Sequence, residues 1–129
     1  MKRGFTLIEL IAVIAILGLV LTITVPIITS SINESKNRIY DRQRDLIIDA
    51  ARSYMSKYPT QLPIDSTMVS ISVSKLKSEG FISNQDINNP LYVSGTTDDR
   101  TKSQKFNGVV CVSYSSNNYN YTYKESNTC

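Results

Sequence analysis

Met1-Lys-Arg-Gly-Phe-Thr-Leu-Ile-Glu-Leu-Ile-Ala-Val-Ile-Ala-Ile-Leu-Gly-Leu-Val-Leu-Thr-Ile-Thr-Val-Pro-Ile-Ile-Thr-Ser-Ser-Ile32 decides the fold. A stub carrying Lys2 and Arg3 ends at Gly4. From Phe5 to Ile32 the chain is apolar, and Glu9 is its only charge. About 20 apolar residues cross a bilayer as a helix. Basic residues before the stretch place the N-terminus on the cytoplasmic side. Lys36, Arg38, Arg42 and Arg44 on the far side weaken that bias. A carboxylate in a membrane helix costs about 3 kcal/mol or more, so Glu9 calls for a reason. A plain single-pass anchor supplies none. A secretory signal peptide has a shorter apolar region and a small-x-small cleavage site. Here the run is longer, and Thr29-Ser30-Ser31 is a weak candidate for such a site.

Gly4-Phe-Thr-Leu-Ile-Glu9 resembles the prepilin signature of type IV pilins and of the pseudopilins of secretion and DNA-uptake machines. The resemblance is sharp over Gly4–Glu9 and looser through Pro26. It implies a leader peptide, residues 1–4, removed by a membrane prepilin peptidase that cuts between Gly4 and Phe5 and methylates the new amine of Phe5. A residue without a side chain suits the cleft of such a protease. Glu9 then stands four residues beyond the new terminus, about one helical turn. There it would pair with the Phe5 amine of a neighbouring subunit, each charge offsetting the other's burial. On this reading Glu9 sets register during assembly and is no catalytic acid.

Residues 5–32 then form a transmembrane and filament-core helix, and residues 33–58 its amphipathic continuation. Pro26 removes one backbone hydrogen bond and marks an expected kink. Gly18, Thr22 and Thr24 lower helix propensity nearby. Ile28, Ile32, Ile39, Leu46, Ile47, Ala50, Ala51, Tyr54 and Tyr58 recur near helical spacing and predict the buried face. Glu34, Lys36, Arg38, Asp41, Arg42, Arg44, Asp45, Asp49 and Arg52 occupy the other face, solvated or in contact with packed subunits. Glu34/Arg38 and Asp49/Arg52 are spaced to pair. Pro59 ends the pattern.

Residues 59–129 predict a small head that needs the helix to complete its core. Val69, Ile71 and Val73 alternate with serines as a strand does. Ser74–Glu79 reads as a short helix with Ser74 as N-cap and Gly80 as its stop, leaving Leu76, Phe81 and Ile82 to cover the long helix. Leu91–Val93 reads as a short strand and Ser94–Asn107 as an exposed polar loop. Val109–Tyr114 and Tyr119–Lys124 read as a hairpin, with Tyr119, Tyr121 and Tyr123 on one face for sheet packing. The fold class is therefore α+β, a long N-terminal helix on a small antiparallel sheet.

The composition narrows the chemistry. The 129 residues contain no His, which removes the commonest general base and metal ligand. The net charge of +3 falls to +1 without Lys2 and Arg3, too little to argue for nucleic-acid binding. Cys111 and Cys129 follow a membrane segment and read as one disulfide in an oxidising compartment, with two free thiols as the alternative. No catalytic set, phosphate loop or zinc spacing stands out, so neither an enzyme nor a cofactor is expected. Asp98 and Asp99 fall short of a calcium shell. Asn33-Glu-Ser35 and Asn120-Tyr-Thr122 match the glycosylation pattern, as chance often arranges in such a chain.

The resemblance implies a structural subunit, a major or minor pilin. It would start as a single-pass precursor in the cytoplasmic membrane and end in a cell-surface filament used in adhesion. Its partners would be membrane lipid, the prepilin peptidase, an inner-membrane assembly platform, and copies of itself and other pilins. A pseudopilin of a secretion or competence system is the alternative within the class. A membrane-anchored module binding a surface or DNA through residues 94–107 is the alternative from another class.

Overall fold

A computed structural model describes residues 4–129 and shows the α+β architecture. Helix α1 runs from Leu7 to Lys57. It ends where the sequence requires: Tyr58 precedes Pro59, and the residue before a proline is pushed out of the helical region. Tyr58 accordingly takes φ −122° and ψ 66°, and Pro59 opens a single 3₁₀ turn, Pro59–Gln61. There follow β1 (Met68–Ser72), α2 (Val73–Ser78), β2 (Val109–Ser115) and β3 (Asn118–Lys124). Internal contacts divide the chain into a first unit ending at Ser35 and a second, Lys36–Cys129.

In the second unit the strands form one antiparallel sheet in the order β1-β2-β3. Ser116 and Asn117 join β2 to β3, both with positive φ (50° and 64°), the two-residue turn whose twist matches a hairpin. Val110 and Val112 face Ile71 and Val69 on one side and Tyr123 and Tyr121 on the other, so these residues share one face of the sheet. That face packs in one core with Ile47, Ala50, Ala51 and Tyr54 of α1, spaced by three, four and seven residues. Along the tyrosine stripe, Tyr123 is buried, Tyr121 lies under the Arg52 guanidinium at 5.4 Å, and Tyr119 packs on Tyr114 at 5.0 Å.

Several local expectations change. Tyr40 and Met55 are buried, whereas Ile39 and Leu46 are 47 % and 66 % exposed. Tyr40 and Ile47 are seven residues apart, as are Ile39 and Leu46. The two rows lie about 100° apart around the helix, and only the first meets the sheet. The N-cap of α2 is Ser72, not Ser74: its Oγ accepts from the Lys75 amide at 3.2 Å, while Ser74 Oγ lies 2.9 Å from it. Val73 therefore begins the helix instead of ending the strand. Gly80, at φ 78°, closes α2 with Phe81 N donating to Leu76 O and Gly80 N to Lys77 O, the paired bonds of a Schellman stop.

Leu91–Val93 forms no strand: Pro90 and Leu91 make a turn closed by Tyr92 N donating to Asn89 O at 3.3 Å, and Val93 N donates to Thr101 O at 2.9 Å. The polar run after it does not simply lie in solvent. Asn89 is buried, and its Nδ2 donates to Arg100 O and Ser103 O at 2.8 and 2.9 Å, while its Oδ1 accepts from Leu91 N. Asp86 joins Lys77 and Lys105 at 3.4 and 2.6 Å, which holds its carboxyl below the usual range. The run ends in Phe106, fully buried between the rings of Tyr40 (5.1 Å) and Tyr123 (5.5 Å).

Cys111 is bonded to Cys129 with the Cα atoms 5.7 Å apart. Alternation turns Cys111 to the sheet face opposite Val110 and Val112. The closed loop removes unfolded-state entropy, and its reduction is expected to lower head stability by about 3 kcal/mol. The check is the urea midpoint of the detergent-solubilised chain with and without reductant. An unchanged midpoint would remove the staple from this account.

Candidate functional site

The site begins where α1 begins. Thr6 precedes the first helical residue, and Glu9 lies three positions on. Glu9 Oε2 accepts from Thr6 N at 3.2 Å and from Thr6 Oγ1 at 3.0 Å, and Glu9 N reaches Thr6 Oγ1 at 3.4 Å. This is a capping box, in which a carboxylate one turn inside the helix satisfies amides at its start. The negative charge also stands at the positive end of the helix dipole. Thr6 was not among the expected site residues. Its signal was present in the Thr-x-x-Glu spacing.

Gly4 lies in open backbone, and a Cβ there would meet nothing within 4 Å. The Phe5 side chain is 83 % exposed. A peptide bond between an unencumbered glycine and an exposed aromatic can enter a protease cleft without unfolding a helix, which starts only at Leu7. Met1, Lys2 and Arg3, with the basic stub expected to orient the precursor, lie outside the described residues.

Beyond Glu9 every position of α1 through Ile23 is exposed, and the side chains are almost all apolar. An 18-residue window of α1 reaches a mean hydropathy of 2.8, and none of it is buried. A surface of this kind needs hydrocarbon or protein around it. Pro26 sits inside α1, which stays helical on both sides of it. Pro26 has no N–H for the carbonyl four residues before it. Around that gap Thr22, Thr24 and Thr29 turn their hydroxyls to the carbonyls of Leu19 (2.6 Å), Val20 (3.1 Å) and Val25 (3.0 Å). Three polar side chains are thereby satisfied within an apolar surface.

Residues 1–25 match the family described as the prokaryotic N-terminal methylation motif. The chain carries the prepilin-type cleavage and methylation motif. The motif indicates a type IV pilin-like, structural protein, and together with the apolar N-terminal helix it is consistent with a membrane-anchored precursor. No curated protein and no solved structure matches the chain. The prepilin-type match ends just before Pro26, so the head is read from its own residues.

In the head, the acidic pair expected to fall short of a calcium shell is otherwise engaged. Asp98 Oδ1 accepts from Arg100 N at 2.8 Å, and Asp99 bonds the Lys102 ammonium at 2.5 Å. Among the described residues no group of three His, Cys, Asp or Glu could hold a metal ion.

Proposed function

We propose that this chain is a structural subunit of an extracellular type IV pilus filament, drawn from the membrane through the apolar part of α1. The observation that supports this best is the conjunction at the N-terminus. An open Gly4–Phe5 bond is followed by a carboxylate one turn into a helix whose apolar stretch from Leu10 to Ile23 is exposed at every position. A prepilin peptidase would cut between Gly4 and Phe5 and methylate the Phe5 amine. Membrane lipid would cover the helix before assembly, and neighbouring helices would cover it afterwards. Glu9 would then meet the Phe5 amine of an adjacent copy. The two opposite charges would be buried together, and their pairing would fix the axial position of the incoming subunit. Pro26 marks where the helix has a backbone bond to spare.

Mass spectrometry of the purified mature protein tests this reading. The expected chain begins at methylated Phe5 and carries the Cys111–Cys129 bond. An intact Met1, or a start near Ile32, would overturn it in favour of a plain anchor or a secretory signal.

A further inference from the structure

Glu125 is the first residue after β3, and it is 8 % exposed. Both of its carboxyl oxygens are wholly buried, and neither is reached by a well-formed hydrogen bond. The groups facing it come from three places. Tyr40 belongs to α1 and Tyr123 to β3; Asp99, Lys102 and Ser103 belong to the polar loop. The Tyr123 hydroxyl accepts from Gly108 N at 3.2 Å and keeps its own proton to donate. The Lys102 ammonium is committed to Asp99. Arg100, the other nearby cation, lies over the Tyr40 ring at 4.7 Å and reaches Asp41 at 3.3 Å. Burial pushes the Glu125 carboxyl above its ordinary value; the Tyr123 and Ser103 hydroxyls pull it back in part, Asp99 adds to the rise and Lys102 opposes it.

A carboxylate one residue past a strand can usually swing into water. Glu125 is pinned on both sides. Lys124 is paired with Val109 in the sheet, and the chain is tied again at Cys129, bonded to Cys111. Gly108 packs directly under this segment. A Cβ on Gly108 would stand 1.8 Å from Lys124 O and 2.8 Å from Glu125 Cα, so only glycine admits the crossing. The opposite wall is softer. Residues 98–103 have no strand pairing and are held by Asn89, by Arg100, by the single Val93 N to Thr101 O bond at 2.9 Å and by turn hydrogen bonds. A charge formed at Glu125 is therefore relieved most easily by moving that loop.

We propose that Glu125 is a pH-operated latch: its neutral carboxyl keeps the 98–103 loop closed over Tyr40 and over itself, and its ionisation releases the loop. The sign follows from proton binding. The closed form holds the proton to higher pH than the open form, whose carboxyl has the ordinary value of 4.5. Closure is complete below that value and is lost as pH rises toward the value of the closed form. The disulfide is part of the device, because it denies Glu125 the escape of fraying. The latch lies wholly in the head and stands whether or not the chain enters a filament.

Backbone hydrogen exchange of the full chain in detergent micelles, corrected for intrinsic rates and followed by mass spectrometry from pH 5 to pH 8, reads the loop directly. Protection of residues 98–103 is expected to fall about tenfold per pH unit across the titration. Glu125→Gln is expected to stay protected throughout, since its amide carries no charge. The double variant Cys111→Ser, Cys129→Ser is expected to lose most of the pH dependence, because Glu125 then reaches water. In the native chain, carbon-13 NMR of the Glu125 carboxyl is expected to show titration clearly above 4.5. A Glu125→Gln loop that still opens with pH would overturn the latch. So would a native loop that stays shut while Lys102 shifts from Asp99 to Glu125, or a Glu125 carboxyl titrating at its ordinary value.

Discussion

Glu9→Val is expected to leave the subunit inserted, processed and present at normal amounts, while sheared surface filaments fall about a hundredfold. Valine suits hydrocarbon better than a carboxylate, so insertion loses nothing. The capping box with Thr6 is lost, at a cost of about 1 kcal/mol to the first turn of α1. On the proposed pairing, the filament would then hold a neighbour's Phe5 amine buried without its counter-charge, at a cost of about 3–5 kcal/mol. Each 1.4 kcal/mol is about a factor of ten in an equilibrium, so the second loss dominates the first. The cap supplies a sharper comparison. A capping box works with Gln as well as Glu. If Glu9 served the cap alone, Glu9→Gln would assemble normally. If it serves as charge partner, Glu9→Gln should be as deficient as Glu9→Val, with Glu9→Asp intermediate because its reach is one methylene shorter. The measurement is filament yield against total subunit, with co-assembly into mixed filaments scored by immunoprecipitation. Normal filaments from Glu9→Gln would sink the pairing role, as would degradation of the Glu9→Val subunit.

How much of this was legible in the sequence depends on the range of each interaction. The helix over Leu7–Lys57 was readable because apolarity and then helical spacing persist for many turns. Its buried face was readable at Ile47, Ala50, Ala51 and Tyr54, where four positions agree. It was misread at Ile39 and Leu46, because two adjacent rows are both apolar and only the sheet decides which is covered. The sheet itself followed from alternation in Val109–Tyr114 and Tyr119–Lys124. Ser72 and Ser74 were exchanged as caps because either serine can serve, and the choice rests on where β1 ends. At the N-terminus the residues carrying the prepilin-type motif were plain, while the local bonding of Glu9 with Thr6 was hidden behind the longer-range role proposed for it. Glu125 was invisible. Its burial depends on Gly108, on the bond to Cys129 and on the return of residues 98–103, and none of these is local to it.

Phe106 was hidden for the same reason, and its loss carries the largest expected effect on the head. It is one apolar residue in a polar run, so no periodicity announces it. It is fully buried, its ring lies 5.1 Å from that of Tyr40 and 5.5 Å from that of Tyr123, and Phe106 N donates to Ile87 O at 2.9 Å. Phe106→Ala removes the ring between α1 and β3 and leaves a cavity that neither flanking strand nor helix can collapse to fill. The cost is expected at about 3–5 kcal/mol. Small domains have only about 5–15 kcal/mol in total, so the variant should be partly unfolded at growth temperature. Phe106→Leu keeps most of the apolar volume and is expected to cost about 1.5 kcal/mol or less. The chain has no Trp, and Tyr40 and Tyr123 lie on the cavity, so near-ultraviolet circular dichroism of tyrosine during thermal unfolding reports the site directly. In cells the Ala variant should be depleted by proteolysis before assembly, in contrast with Glu9→Val, which should accumulate. An Ala variant as stable as the parent would mean that residues 98–106 pack on the core far more loosely than these distances imply.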